Sequence, residues 1–181
     1  MFTREAAFDL ISQQNPEPHM IQHALASEAV MRALARHFGE DVTLWGQIGL
    51  VHDVDFPHTR HTPEQHGLMA ETLLAGLMPE AAIAAIKAHN SECTGVMPQT
   101  RLDYALRAGE TVTGMVAAAT LVRPTGMDGM EAKSLKKKMK DKAFAAAVNR
   151  ERIRECEQTG LSLDEFLSLA IEAMRDCCHY A

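Results

Sequence analysis

Residues 44–53 read LWGQIGLVHD, an apolar run that closes on adjacent histidine and aspartate. Imidazole and carboxylate at the end of a hydrophobic helix are common partners of a borderline or hard divalent cation. A single His-Asp pair means little alone, so the reading turns on what surrounds it. Upstream, a helix is expected from about Pro18 to Phe38, stopped by Gly39, with His23 facing inward beside Ala26 and Val30. The helix carrying LWGQIGLVHD then begins near Asp41 or Thr43. Before both, Thr3 caps a short helix to about Gln14, which Asn15-Pro16-Glu17-Pro18 breaks.

Downstream, VDFPHTRH (54–61) reads as a loop. Thr62-Pro63 reads as a cap with proline at the first helical position, opening a helix to about Gly76. Pro79 opens EAAIAAIKAH, and NSECTGVMPQ (90–99) is a loop. Thr100 caps a long helix, RLDYALRAGETVTGMVAAATLV, that Pro124 stops. A turn at Gly126–Gly129 leads to a lysine-rich helix and then to AFAAAVNRERIRECEQTG, read as helical. Ser162 and Glu165 have capping-box spacing for the last helix. No strand signal competes, so the fold class is all-α. One domain is expected over 1–181, with a core at about 17–124 and a C-terminal helical extension at about 130–181 packed on it.

Bulk composition excludes several classes. The chain has 181 residues, 46% hydrophobic and 23% charged, as in an ordinary globular protein. A net charge of -6 and 5% aromatics argue against a nucleic-acid surface. No apolar run approaches the roughly 20 residues of a membrane span. The start, MFTREAAFDLISQQN, lacks the apolar core of a signal peptide. Cys93, Cys156, Cys177 and Cys178 form no CxxC pair, and a reducing, cytoplasmic setting is expected. The methionines read as core filler.

Histidines cluster after the His-Asp pair: His58, His61, His66 and His89 follow His52. Together, HALASEAVMRALA around His23, GLVHDVD around His52-Asp53, EQHGLMAETLL around His66, AIKAHN around His89 and ALRAGETVTGMVAAATLVRP around Glu110 resemble the HD superfamily of metal-dependent phosphohydrolases. Each piece is weak alone; the ordered set is specific. KKKMKDKAFAAAVNRE extends the resemblance toward the HDIG-related branch of predicted hydrolases. It implies an HD-domain helical bundle with the metal site between central helices.

The resemblance implies that His23, His52 and Asp53 are metal ligands. The fourth position, an aspartate in the family, is Glu110 here; glutamate reaches one methylene further. The alternatives are a surface Glu110 pairing with Arg107, or Asp103 as a substitute ligand. His66 and His89 are expected to bind substrate phosphate in a one-metal site, or to hold a second metal bridged by Asp53. Asn90 stands where some two-metal members carry a further histidine. Asp53 and Asp55 are the expected catalytic proton acceptors. His58 and His61 read as loop residues at the pocket rim, His19 as a surface residue near the helix start, and His37 and His179 as peripheral. Among Lys133, Lys136, Lys137, Lys138, Lys140 and Lys142, Lys137 is the expected anion contact, with Leu135 and Met139 facing inward. No glycine-rich phosphate loop is present.

The expected activity is hydrolysis of a small phosphate ester or nucleotide by a metal-activated water, with Mn, Fe, Co, Ni, Mg or Zn as cofactor. The alternatives are a paired-iron oxygenase of the HD type and a nucleotide-binding regulatory module with weakened catalysis. The expected partner is a small phosphorylated substrate, with neither nucleic acid nor membrane, on a monomer or homodimer.

Overall fold

A computed structural model describes residues 2–177; the readings of Cys178 and His179 lie outside them. The helices are α1 (Arg4–Gln13), α2 (Pro18–Phe38), α3 (Val42–Val51), α4 (Phe56–Thr59), α5 (Ala70–Leu74), α6 (Glu80–Ala88), α7 (Ser91–Thr94), α8 (Arg101–Leu121), α9 (Ala132–Met139), α10 (Arg150–Arg154) and α11 (Leu163–Cys177), with a 3-10 turn at Glu155–Thr159. The fold is all-α, with no strand among the described residues.

The caps explain why these helices start and stop where they do. Thr3 accepts the Ala6 N–H, and Asp41 accepts those of Thr43 and Leu44. Thr100 and Asp103 form a reciprocal capping box on α8, as Ser162 and Glu165 do before α11. Gly39 ends α2 at φ +71.

The hairpin of α2 and α3 is the centre of the fold, and α8 and α11 pack on α2. Its two helices approach at backbone distance: a Cβ on Gly49 would lie 2.6 Å from the Ser27 carbonyl oxygen. Gly109 lets α8 close on Val30, Met31 and Leu34 in the same way. Because the hairpin turn is short, residues near the start of α2 and the end of α3 meet, which puts His23 opposite His52.

Four segments depart from the expectations. Residues 54–61 and 90–99 hold the short helices α4 and α7. The helix expected from Thr62-Pro63 does not form until Ala70. The buried Asp55 carboxylate accepts the N–H groups of Gly67 and Ala70 at 2.7 and 3.1 Å, so a side chain takes donors that a helix would use. Gly67 turns there at φ +89, and a Cβ on it would sit 3.1 Å from the Ile86 carbonyl oxygen, a tight contact. The segment from Ala143 is also not helical at first. Ala145 takes φ +46, Arg150 donates to the carbonyls of Phe144, Ala145 and Val148, and the Asn149 side chain caps α10.

Candidate metal centre

Four histidines surround one carboxylate. Asp53 Oδ1 lies 3.4, 3.2 and 3.4 Å from the Nε2 atoms of His52, His66 and His89. Its Oδ2 lies 3.6 Å from His23 Nε2. Across the cluster, His23 Nε2 and His52 Nε2 are 3.1 Å apart, and His66 Nε2 and His89 Nε2 are 3.0 Å apart.

The partners of the other ring nitrogens fix what these atoms offer. His52 and His89 end α3 and α6, and each donates Nδ1–H to a carbonyl one turn back, Gly49 and Ile86. His66 Nδ1 donates to Asp55 Oδ1 at 3.0 Å. His23 Nδ1 is 2.9 Å from the Thr113 hydroxyl, whose own proton goes to the Glu110 carbonyl, so Nδ1 is again the donor. Every Nε2 therefore turns a lone pair into the cluster. Lone pairs facing at about 3 Å need a cation or a proton between them. Two nitrogens bound to one cation at about 2.1 Å and a right angle stand about 3 Å apart, so the donor set fits two cations. His23, His52 and Asp53 form one group and Asp53, His66 and His89 a second, with ligand atoms within 4.8 Å of one another in each. The Nδ1 partners are the outer hydrogen bonds that orient metal-binding imidazoles.

The electrostatics agree. Burial pushes His52 down to about 3, which keeps it neutral. Burial alone would raise Asp53, but His52, His66 and His89 outweigh it and hold its carboxyl well below the usual range. Burial alone would lower His66, but Asp53 and Asp55 outweigh it and push it up to about 10. In the metal-free protein this proton would sit on His66 Nε2, facing His89 Nε2 at 3.0 Å, and a bound cation would have to displace it to use the lone pair.

Several expected residues sit elsewhere in the scheme. Asp55 does not approach as a free proton acceptor: it is fully buried, and it accepts from His66, Gly67 and Ala70. Glu110 is at the edge, with Oε2 3.8 Å from His23 Nε2; its Oε1 accepts the Thr111 hydroxyl, and burial raises its carboxyl. Arg107 does not pair with Glu110 but with Glu92 and Glu155. Asp103 is spent on the backbone N–H groups of Gln99 and Thr100. Asn90 holds the His66 loop through the carbonyls of Pro63 and His66. His58 meets Gln14, and His19 meets Glu17, both outside the cluster.

A cavity of about 410 Å³ opens beside His23 and Glu110, walled by Thr111, Gly114, Val148, Asn149 and Arg152. Lys137 is exposed on α9 and does not line it. Its neighbours have other uses: Lys136 pairs with Asp164, and Lys138 lies over the Phe144 ring. Arg152 lines the cavity instead, with Nη1 3.8 Å from Glu110 Oε1. Neither Arg152 nor the Thr113 support of His23 stands out in the sequence, since both depend on contacts between distant segments.

The model of the HD domain family matches residues 20–119, more than half of the chain, and this protein belongs to that family. The fold is that of metal-dependent hydrolases. Searches of curated proteins and of solved structures found no match.

Proposed function

We propose that the protein is a hydrolase of small phosphate esters, nucleotides among them, working with two divalent cations bridged by Asp53. One observation carries this reading: four Nε2 lone pairs converge on a single ionised carboxylate, each imidazole being fixed through Nδ1. His23, His52 and Asp53 would hold one cation, with Glu110 as a further ligand, and Asp53, His66 and His89 would hold the other. This takes the second of the two roles expected of His66 and His89, that of holding a second metal rather than contacting phosphate. Mn, Fe, Co, Ni, Mg and Zn all remain compatible with imidazole and carboxylate donors.

When bound, such cations acidify a water and polarise a phosphoryl oxygen. The residues supply the rest. Asp53, held far below the usual carboxylate range, stays ionised and serves as a bridge rather than as a base. Asp55 keeps the His66 ring in register. Thr113 does the same for His23. The cavity beside His23 admits the ester. We read the whole chain as one domain, because one apolar core runs from Ala7 to Met174. No described helix is long and apolar enough to cross a membrane.

A paired-iron oxygenase is the second reading, and the inclusion of both His66 and His89 in one group favours it. The two separate in one experiment. Protein loaded with each cation is given a panel of phosphomonoesters and nucleotides, and released phosphate and consumed oxygen are measured. Phosphate release that depends on metal and vanishes in His52→Ala is the expected result. Oxygen consumption by the iron form without phosphate release would replace this reading with the oxygenase. Binding of a nucleotide with no turnover under any cation would favour the regulatory module.

A further inference from the structure

Ala147, Val148, Asn149 and Arg152, which share the lining of this cavity with His23, follow the HD-matched segment, which ends at 119. Two of them carry hydrogen-bond donors. Arg152 gives one edge of its guanidinium to Glu92, with Nε–Oε1 2.9 Å and Nη2–Oε2 2.6 Å. Its Nη1 makes no hydrogen bond among the described residues, and the ion-pair distance to Glu110 Oε1 is 3.8 Å. Asn149 spends Oδ1 on the N–H groups of Glu151 and Arg152, which leaves its amide N–H₂ as a second donor on the same wall.

The cation is held rather than loose. Glu92 also takes Arg107 Nη2 at 2.9 Å. Arg107 in turn donates Nη1 to the carbonyls of Ala88 and His89 at 2.9 and 3.0 Å and Nε to Glu155. One chain of charge-assisted bonds thus runs from the backbone of His89, at the metal centre, to the outward edge of Arg152. Guanidinium offers paired donors in a fixed plane, which suits phosphate better than a point charge does. Ala147 and Val148 give the same cavity an apolar strip. Donors at one end and an apolar strip beside them fit an anion on a small organic group.

We propose that Arg152 and Asn149 form the anion clamp of the substrate site, gripping the phosphoryl group of a small phosphomonoester in the cavity they share with His23. This deepens the hydrolase reading and rests on it. The fork to Glu92 fixes the Arg152 plane, and Nη1 donates to a phosphoryl oxygen.

The test is calorimetric titration of inorganic phosphate onto the full chain loaded with Mn, comparing wild type, Arg152→Gln and Arg152→Lys, with metal content and melting temperature measured on each. Loss of one charge-assisted hydrogen bond predicts phosphate binding weaker by about tenfold or more in Arg152→Gln, at unchanged metal content. If Arg152→Gln fails to fold, Arg152→Lys decides: the charge remains but the fork is lost, and binding is expected to weaken by about threefold or more. Unchanged phosphate affinity in folded, metal-loaded variants overturns the clamp, as does absence of phosphate binding to loaded wild type. A lowered melting temperature with unchanged phosphate affinity makes Arg152 a purely structural partner of Glu92. If wild type takes up no cation, the metal reading fails separately. The same comparison on the metal-free chain then decides the clamp, and binding that is absent or indifferent to Arg152 overturns it.

Discussion

In the proposed metal centre, Asp55 would act without touching a cation. Its carboxylate orients His66 and closes the turn before α5. Asp55→Asn keeps the shape and removes the charge. Loss of such outer partners costs about 10–100-fold in metal affinity, so the variant is expected to bind one cation as wild type does and the second that much more weakly. Two-site calorimetric titration measures this; two unchanged sites would show that Asp55 only shapes the loop.

Glu92 gives a pH signature at the same scale. Burial would raise its carboxyl, but Arg152 and Arg107 outweigh that and bring it down to about 2 from 4.5. A depressed carboxyl contributes stability that is complete above its unfolded pKa and is lost as pH falls through the folded one. Wild type is therefore expected to lose stability relative to Glu92→Gln between about pH 4.5 and 2, read from urea midpoints across that range. Parallel curves would mean that solvent screens these pairs out, since the Glu92 side chain is 45% exposed.

The residues that the sequence made legible are those fixed by local order. His52-Asp53 ends a helix, and His23 lies on the facing one, so their meeting follows from a short hairpin. The expected roles of Asp55 and Lys137 did not match where the chain puts them. Asp55 reads as an ordinary loop aspartate until His66 is seen to return to it. Lysines on α9 are conspicuous, whereas Arg152 is one charge in the run RERIRE. What selects it is Glu92, far away in sequence.

At the scale of elements, the centre depends on how closely α2 and α3 pack. A Cβ on Gly49 would meet the Ser27 carbonyl oxygen at 2.6 Å and its carbon at 2.8 Å. Backbone cannot swing aside as a side chain can, so the helices must separate. Gly49→Ala is expected to cost about 1–3 kcal/mol of stability, the range for overpacking. It also parts His23 from His52, so the cation they are proposed to share should bind more weakly. Denaturant unfolding and metal titration test both effects. Wild-type stability would show that the hairpin yields more readily than its contacts imply.

The helix boundaries also show where sequence patterns fall short. Caps built from neighbours, such as Thr3 and Thr100, were legible because donor and acceptor lie within one turn. Thr62-Pro63 has the same local form but does not start a helix. The competing acceptor, Asp55, arrives from outside the segment. Likewise AFAAAV has helical composition but turns at Ala145, where Arg150 collects three carbonyls. Local propensity yields where a buried or charged side chain commands the backbone.

For the whole molecule, the cluster joins α2, α3, α6 and the loop before α5, so cation binding should stabilise the fold as a unit. A ligand that binds only the native state at a hundredfold excess over Kd adds about 2.7 kcal/mol per site, or roughly 5–10 °C in Tm for a chain of this size. Chelation of both cations should lower Tm by about twice that amount, and added cation should restore it. A Tm indifferent to both would mean that the imidazoles face one another without metal.

The most direct test of the central claim is elemental analysis of protein purified without chelator or metal-binding tag, beside Asp53→Asn. Shared use of Asp53 by both groups predicts about two cations per wild-type chain after reconstitution and loss of both in the variant. One cation in wild type that survives in Asp53→Asn, or no cation taken up at all, would contradict the bridged two-cation centre.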